Sequence, residues 1–162
     1  MNIALRNFSK PDIKNQHETI EQTLLLIWLE FHFPEIYDMT CAIPLGGYRP
    51  NGEAAKMKAE GERAGYPDLI TDIAAGGYHG LRVEMKKFCK SAKPSANQIE
   101  RLTKLANQNY YVCVCRGHRA AINTYIDYFN LQVDKFPTTN DWETIIYRSN
   151  VSQEKWLFEW FH

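Results

Sequence analysis

Several things are scarce in this chain, and each absence excludes a class of protein. No apolar stretch approaches the ~20 residues that a membrane span requires. The opening residues, MNIALRNFSKPDIKNQ, do not run from basic to apolar as a signal peptide does, so a cytoplasmic protein is the expectation. Cysteine is limited to Cys41, Cys89, Cys113 and Cys115. They form no CxxC pair, and no histidine stands at finger spacing from such a pair. This favours reduced structural thiols over a zinc site. Repeats and low-complexity segments are missing as well, and so is net charge, with 19 basic residues against 19 acidic.

What is present suits one folded domain spanning residues 1–162. Hydrophobic residues make up 44% of the chain and aromatics 13%, enough to build a core and to argue against disorder. The balanced charge is unevenly spread. From Arg82 to Arg119 there are nine Lys and Arg against two Glu, whereas both flanking segments are acidic. A basic middle suits a polyanionic partner, although solvated helix faces would give the same count.

Periodicity yields an order of helix, strand, helix, hairpin, helix, strand, helix. The spacing of Ile20, Leu24, Ile27, Trp28 and Phe31 predicts a first helix over about 17–33 with that stripe inward, ended by Pro34. Thr40–Leu45 reads as a short strand, Gly46-Gly47 as a turn, and residues 51–61 as a short helix. Asp68–Ala74 and Leu81–Lys87 read as strands joined by the Gly-rich turn 75–80. Ser95 caps a helix to about Asn109 with Ile99, Leu102, Leu105 and Ala106 as its stripe. Tyr110–Arg116 reads as a strand and His118–Phe129 as a helix. The strand–helix–strand passage through 81–116 predicts a parallel crossover, hence an α/β fold with a mixed central sheet flanked by helices. Residues 131–162 form an aromatic-rich tail, with Trp142, Trp156 and Trp160, that packs on the core or on a second subunit.

The chemistry concentrates in Gly65-Tyr66-Pro67-Asp68, followed fifteen residues later by Glu84-Met85-Lys86. Paired strands lie ~4.8 Å apart, so Asp68 at the mouth of one can meet Glu84 on the other. Alternation places Glu84 and Lys86 on one sheet face. Two carboxylates in one place repel unless a cation lies between them, and a hard ion such as Mg²⁺ or Mn²⁺ takes a few carboxylate oxygens. The Met85 carbonyl, between the two side chains, is a further candidate ligand. Lys86 is placed to orient an attacking water or to offset charge on a pentacovalent phosphoryl group. A second Pro-Asp pair, Pro11-Asp12, has no suitable strand after it. On the residues alone, a surface hairpin with a solvated Glu/Lys pair is an equal reading.

These residues resemble the PD-(D/E)xK nuclease superfamily, and within it the VRR-Nuc group. The resemblance runs from about Glu18 to Phe129. It covers HETIEQTLLLIWLEF, GERAGYPDLI, GLRVEMKKF, SANQIERL and YYVCVCRGHRAAINTYI. It implies a restriction-endonuclease-like core over about 17–130 and an Mg²⁺- or Mn²⁺-dependent endodeoxyribonuclease. Asp68, Glu84 and Lys86 would be the centre of its site. It also implies an acidic residue from the first helix, best matched by Glu18 with Glu21 as the alternative, and a site glutamine matched by Gln98. The family's Val-Arg-Arg-like segment corresponds to Cys115–Arg119, a departure in wording. Compact stand-alone members resemble dimeric junction-resolving nucleases of phage, which implies a homodimer and branched DNA such as a Holliday junction.

Lys87, Lys90 and Lys93 follow the Glu-x-Lys strand and are candidates to hold the DNA backbone without reading sequence. Tyr66 either stacks on a base or sugar or packs beneath its loop. His79 and His118 are set aside as general bases, and Gly61 and Gly65 are assigned to backbone geometry. Two rival functions remain: a general or restriction-type DNA endonuclease, and a non-catalytic DNA-binding recombination accessory protein.

Overall fold

The computed structural model describes residues 17–43, 53–137 and 143–148. The expected Gly46-Gly47 turn, the Pro11-Asp12 pair and Trp142, Trp156 and Trp160 lie outside them. The elements are α1 (His17–His32), α2 (Pro34–Asp38), β1 (Thr40–Ala42), α3 (Glu53–Ala59), β2 (Leu69–Thr71) and β3 (Leu81–Lys86). Then follow α4 (Ala96–Asn107), β4 (Tyr111–Arg116), α5 (His118–Phe129) and β5 (Thr144–Tyr147). The strands form one sheet in the order β1-β2-β3-β4-β5. Only β3 and β4 are parallel; the other neighbours are antiparallel. This is the mixed, helix-flanked sheet of a restriction-endonuclease-like fold. Among the described residues no helix is long and apolar enough to cross a membrane.

Both faces of the sheet are covered. On one, Leu81, Val83, Met85, Cys113 and Cys115 pack against Leu25 and Leu29 of α1 and Ala121, Ile122 and Tyr125 of α5. On the other, Leu102 and Ala106 of α4 lie on Val112 and Val114. Every residue of β3 is therefore buried, including Arg82, Glu84 and Lys86. Cys113 and Cys115 share one face of β4 as free thiols, with sulfurs 3.6 Å apart.

Four expectations change. Of the stripe assigned to the core side of α1, Trp28 packs against the core, but Ile20, Leu24, Ile27 and Phe31 face outward, 44%, 41%, 43% and 74% exposed, while Leu25 and Leu29 are fully buried. Ile99 of α4 is likewise exposed. Pro34 does end α1, but at once begins α2, where its missing N–H costs nothing. β2 stops at Thr71 because the next backbone groups pair elsewhere. The Tyr128 hydroxyl donates to the Ile73 carbonyl at 2.7 Å and accepts from Ala75 N at 3.1 Å. Finally, part of the unassigned tail becomes β5, an edge strand in register with Val112–Cys115.

Candidate active site

The hairpin register brings the acidic pair together. Leu69 lies opposite Val83, so Asp68, one step before β2, faces Glu84. Its Oδ2 accepts from Met85 N at 2.7 Å, which fixes the carboxylate at the end of the strand pair. The Asp68 and Glu84 carboxyls are close enough for the charge of Asp68 to bear on Glu84. Glu84 and Lys86 share a face of β3, and the Lys86 ammonium donates to Glu84 Oε1 at 2.6 Å and to the Met85 carbonyl at 3.0 Å. Glu84 Oε1 also accepts from the amide nitrogen of Gln98.

Gln98 is held there by the start of α4. Its Oε1 accepts from Ser95 N at 2.8 Å while Ser95 Oγ accepts from Gln98 N at 3.3 Å, a reciprocal capping box. The loop before Asp68 presses against the same turn. Gly65 has φ +81°, and a Cβ there would overlap the Asn97 carbonyl, lying 2.7 Å from its carbon. Asp68 and Gln98 are thus positioned by one contact between loop and helix. Gly61, also at positive φ, turns the chain at the foot of α3.

The electrostatics follow from burial. Glu84 is fully buried, and desolvation, then the neighbouring Asp68 charge, raise its pKa to about 7 against the pull of Lys86. Desolvation also raises Asp68, opposed by its bond from Met85 N. Burial alone would depress Lys86, but the carboxylates of Glu84, Glu18 and Asp68 outweigh it and hold the ammonium above its usual value.

The structure separates the two candidate glutamates of α1. Glu18 Oε2 stands 3.7 Å from Lys86 Nζ and lines the cleft above the acidic pair. Glu21, a turn later, points away: its Oε2 accepts from His118 N at 2.7 Å and contacts His118 Nδ1 at 2.6 Å, at the start of α5. Lys87, Lys90 and Lys93 are exposed on the β3–α4 connection and do not line the cleft. Lys58 at the end of α3 and Arg63 in the following loop do line it. Neither stands out in the sequence, where residues 51–61 read only as a short helix. Their one signal was position, immediately before Gly65-Tyr66-Pro67-Asp68.

The donor set suits a hard divalent cation. Glu84 Oε2 is buried with no hydrogen-bond partner, an orphan that is costly unless a positive charge meets it. Asp68 is beside it, and the Met85 carbonyl is adjacent. Among the described residues no three Asp, Glu, His or Cys are gathered closely enough to hold a metal ion by themselves. A pair with carbonyl, water and substrate oxygens is the habit of Mg²⁺.

No family model matches the chain, and no curated protein does. A solved structure described as a VRR_NUC domain protein does match, at 36% identity and a TM-score of 0.63, over 71% of this chain and 89% of that one. The chain belongs to the VRR-Nuc family. It is a nuclease-type domain, and the resemblance carried by its motifs is thereby shown.

In this VRR-Nuc domain the segment Cys115–Arg119 ties structure together. Arg116 is buried and donates Nε to the Ala92 carbonyl at 2.8 Å, anchoring the β3–α4 connection. His118 is engaged by Glu21, and His79 lies at the turn near the Tyr110 ring, 6.0 Å away between centroids. Neither histidine lines the cleft that holds Asp68.

Proposed function

We propose that this domain is an Mg²⁺- or Mn²⁺-dependent DNA endonuclease that hydrolyses phosphodiester bonds, selective for branched DNA such as a Holliday junction. One observation carries the reading: a buried Glu84 oxygen without a donor, beside Asp68, on a carboxylate whose other oxygen takes the Lys86 ammonium at 2.6 Å. In this reading Asp68 and Glu84 hold the cation, with the Met85 carbonyl and Glu18 as further candidate ligands. When bound, the cation would polarise the phosphoryl oxygen and make water a stronger nucleophile. Lys86, among three carboxylates, orients the attacking water and offsets charge on the phosphoryl group at its transition state. Gln98 keeps Glu84 in place. Attack in line with the leaving oxygen inverts the phosphorus. Lys87, Lys90 and Lys93 guide the backbone outside the cleft.

The α1 surface supports a homodimer. Ile20, Leu24, Ile27 and Phe31 recur at four, three and four residues along its outer face, opposite the buried Leu25 and Leu29. Such a seam on a helix calls for a cover, and a two-fold partner places two cutting sites on related strands of a junction. A cytoplasmic location, in a bacterial host if the protein is phage-encoded, follows from the same reading.

The test is cleavage of labelled four-way junction, flap and linear duplex DNA with Mg²⁺, Mn²⁺ or EDTA. Metal-dependent cutting at the branch is expected. Cutting of every substrate alike would replace branch selectivity with a general or restriction-type endonuclease. Binding without cutting under any metal would leave an accessory DNA-binding protein.

A further inference from the structure

The floor of the cleft lies deep. Glu84 is fully buried and Lys86 is 7% exposed, at the bottom of a space of about 530 Å³. One wall is the loop carrying Arg63, Gly65 and Tyr66, and the other is the first turn of α4. Walls on both sides of a buried floor suit a strand whose base is turned aside at the cut.

Tyr66 offers a place for such a base. It is two residues from Asp68, half-buried, and lines the cleft. One face of its ring is backed by the guanidinium of Arg101, 4.7 Å from the centroid, so the ring is held from behind. Lys58 and Arg63 put positive charge on the same wall, where a phosphate backbone would run.

We infer that Tyr66 is a stacking platform for a base next to the scissile phosphate, so that the site takes branched DNA where a base is free to unstack at the cut, beside the crossover of a junction or at the root of a flap. The inference rests on the phosphodiesterase reading above and narrows its substrate. Stacking tolerates any base, because each presents a π face, so this contact selects for an unstacked base without selecting for sequence.

The experiment reads stacking directly. 2-Aminopurine is placed in turn at each position around the branch of a flap DNA, and its fluorescence is followed on binding to the Lys86→Ala protein, which removes cutting. Quenching at one or two positions is expected. It should persist when Tyr66→Phe is added and disappear with Tyr66→Leu. On the otherwise native protein, Tyr66→Leu should lower kcat/KM for the flap by roughly ten- to a hundredfold, and by more than it lowers any cutting of linear duplex. Crosslinking of wild-type protein to 5-iodouracil DNA, mapped by mass spectrometry, needs no variant and should mark Tyr66. Unchanged quenching in Tyr66→Leu, an equal loss on flap and duplex, or a crosslink map without Tyr66 overturns the inference. If wild-type protein cuts nothing with any metal, the hydrolase reading fails, while quenching still reports on Tyr66.

Discussion

Gln98 gives its amide nitrogen to Glu84 Oε1, the oxygen that also takes the Lys86 ammonium, and spends its own oxygen on the cap of α4. Helix start and acidic site are therefore held by one side chain. The cap accepts either an amide or a carboxylate at this position, whereas Glu84 requires a donor.

That division predicts how two variants differ. Gln98→Ala loses both bonds and should destabilise by about 0.5–2 kcal/mol, the usual size of a lost cap, with activity down about 10–100-fold. Gln98→Glu keeps the capping box but sets a carboxylate against Glu84. Its melting temperature should stay closer to wild type while its activity falls at least as far. Equal losses of stability and activity in the two variants would contradict the shared role.

The acidic pair predicts a pH dependence of stability in metal-free protein. Glu84 has its pKa raised from 4.5 to about 7 by burial and by Asp68, so the folded state holds a proton that the unfolded chain releases earlier. The folded state binds more protons across that window, and stability falls as pH rises from about 4.5 to about 7. Thermal melts in EDTA should show this slope, and Glu84→Gln should flatten it. Mg²⁺ at a hundredfold excess over its Kd adds about 2.7 kcal/mol. That should raise the melting temperature by roughly 5–10 °C, and more at pH 8 than at pH 5.5. A melting temperature indifferent to both pH and Mg²⁺ would count against the cation site.

Gly65→Ala should be severe for so small a change. The residue sits at φ +81° and has no room for a Cβ beside Asn97. A loss of more than about 1 kcal/mol is expected, with cleavage reduced because Asp68 and Gln98 flank that contact. A variant that melts and cuts as wild type would show that the loop relaxes freely.

Glu18 and Glu21 should part company. Glu18→Gln removes a charge facing Lys86 and should lower cleavage by roughly tenfold with little change in melting. Glu21→Gln weakens the anchor at the start of α5 and should cost about 0.3–1 kcal/mol of stability while leaving the catalytic groups in place. The reverse pattern would exchange their roles.

The site was more legible in the sequence than the surfaces around it. Strand alternation and a tight turn bring Asp68, Glu84 and Lys86 together as candidates, and the resemblance of the surrounding segments favours them over a solvated hairpin. Gln98 carried a local signal, the Ser95-x-x-Gln98 capping spacing, but its bond to Glu84 crosses from helix to sheet and has no sequence signature. α1 misled for a different reason. It is apolar on two faces, and periodicity finds a stripe without saying which one meets the core. Leu25 and Leu29 won that place because they face α5 and β3. β5 escaped notice because four residues at a sheet edge, half of them exposed, show no clear alternation.

The outward stripe of α1 makes the dimer testable. Leu24→Glu with Ile27→Glu should convert a dimer to a monomer in sedimentation analysis, at little cost to the fold, since both side chains are already over 40% exposed. A wild-type monomer, or a double variant that stays dimeric, places the partner surface elsewhere or removes it.

The central claim is that Asp68, Glu84 and Lys86 form a working hydrolytic site. Single-turnover cleavage of a labelled four-way junction in Mg²⁺, wild type beside Lys86→Ala with matched melting curves and matched DNA affinity, tests it most directly. Wild type should cut, and Lys86→Ala should be slower by at least about a hundredfold. Cutting by Lys86→Ala at the wild-type rate would contradict it.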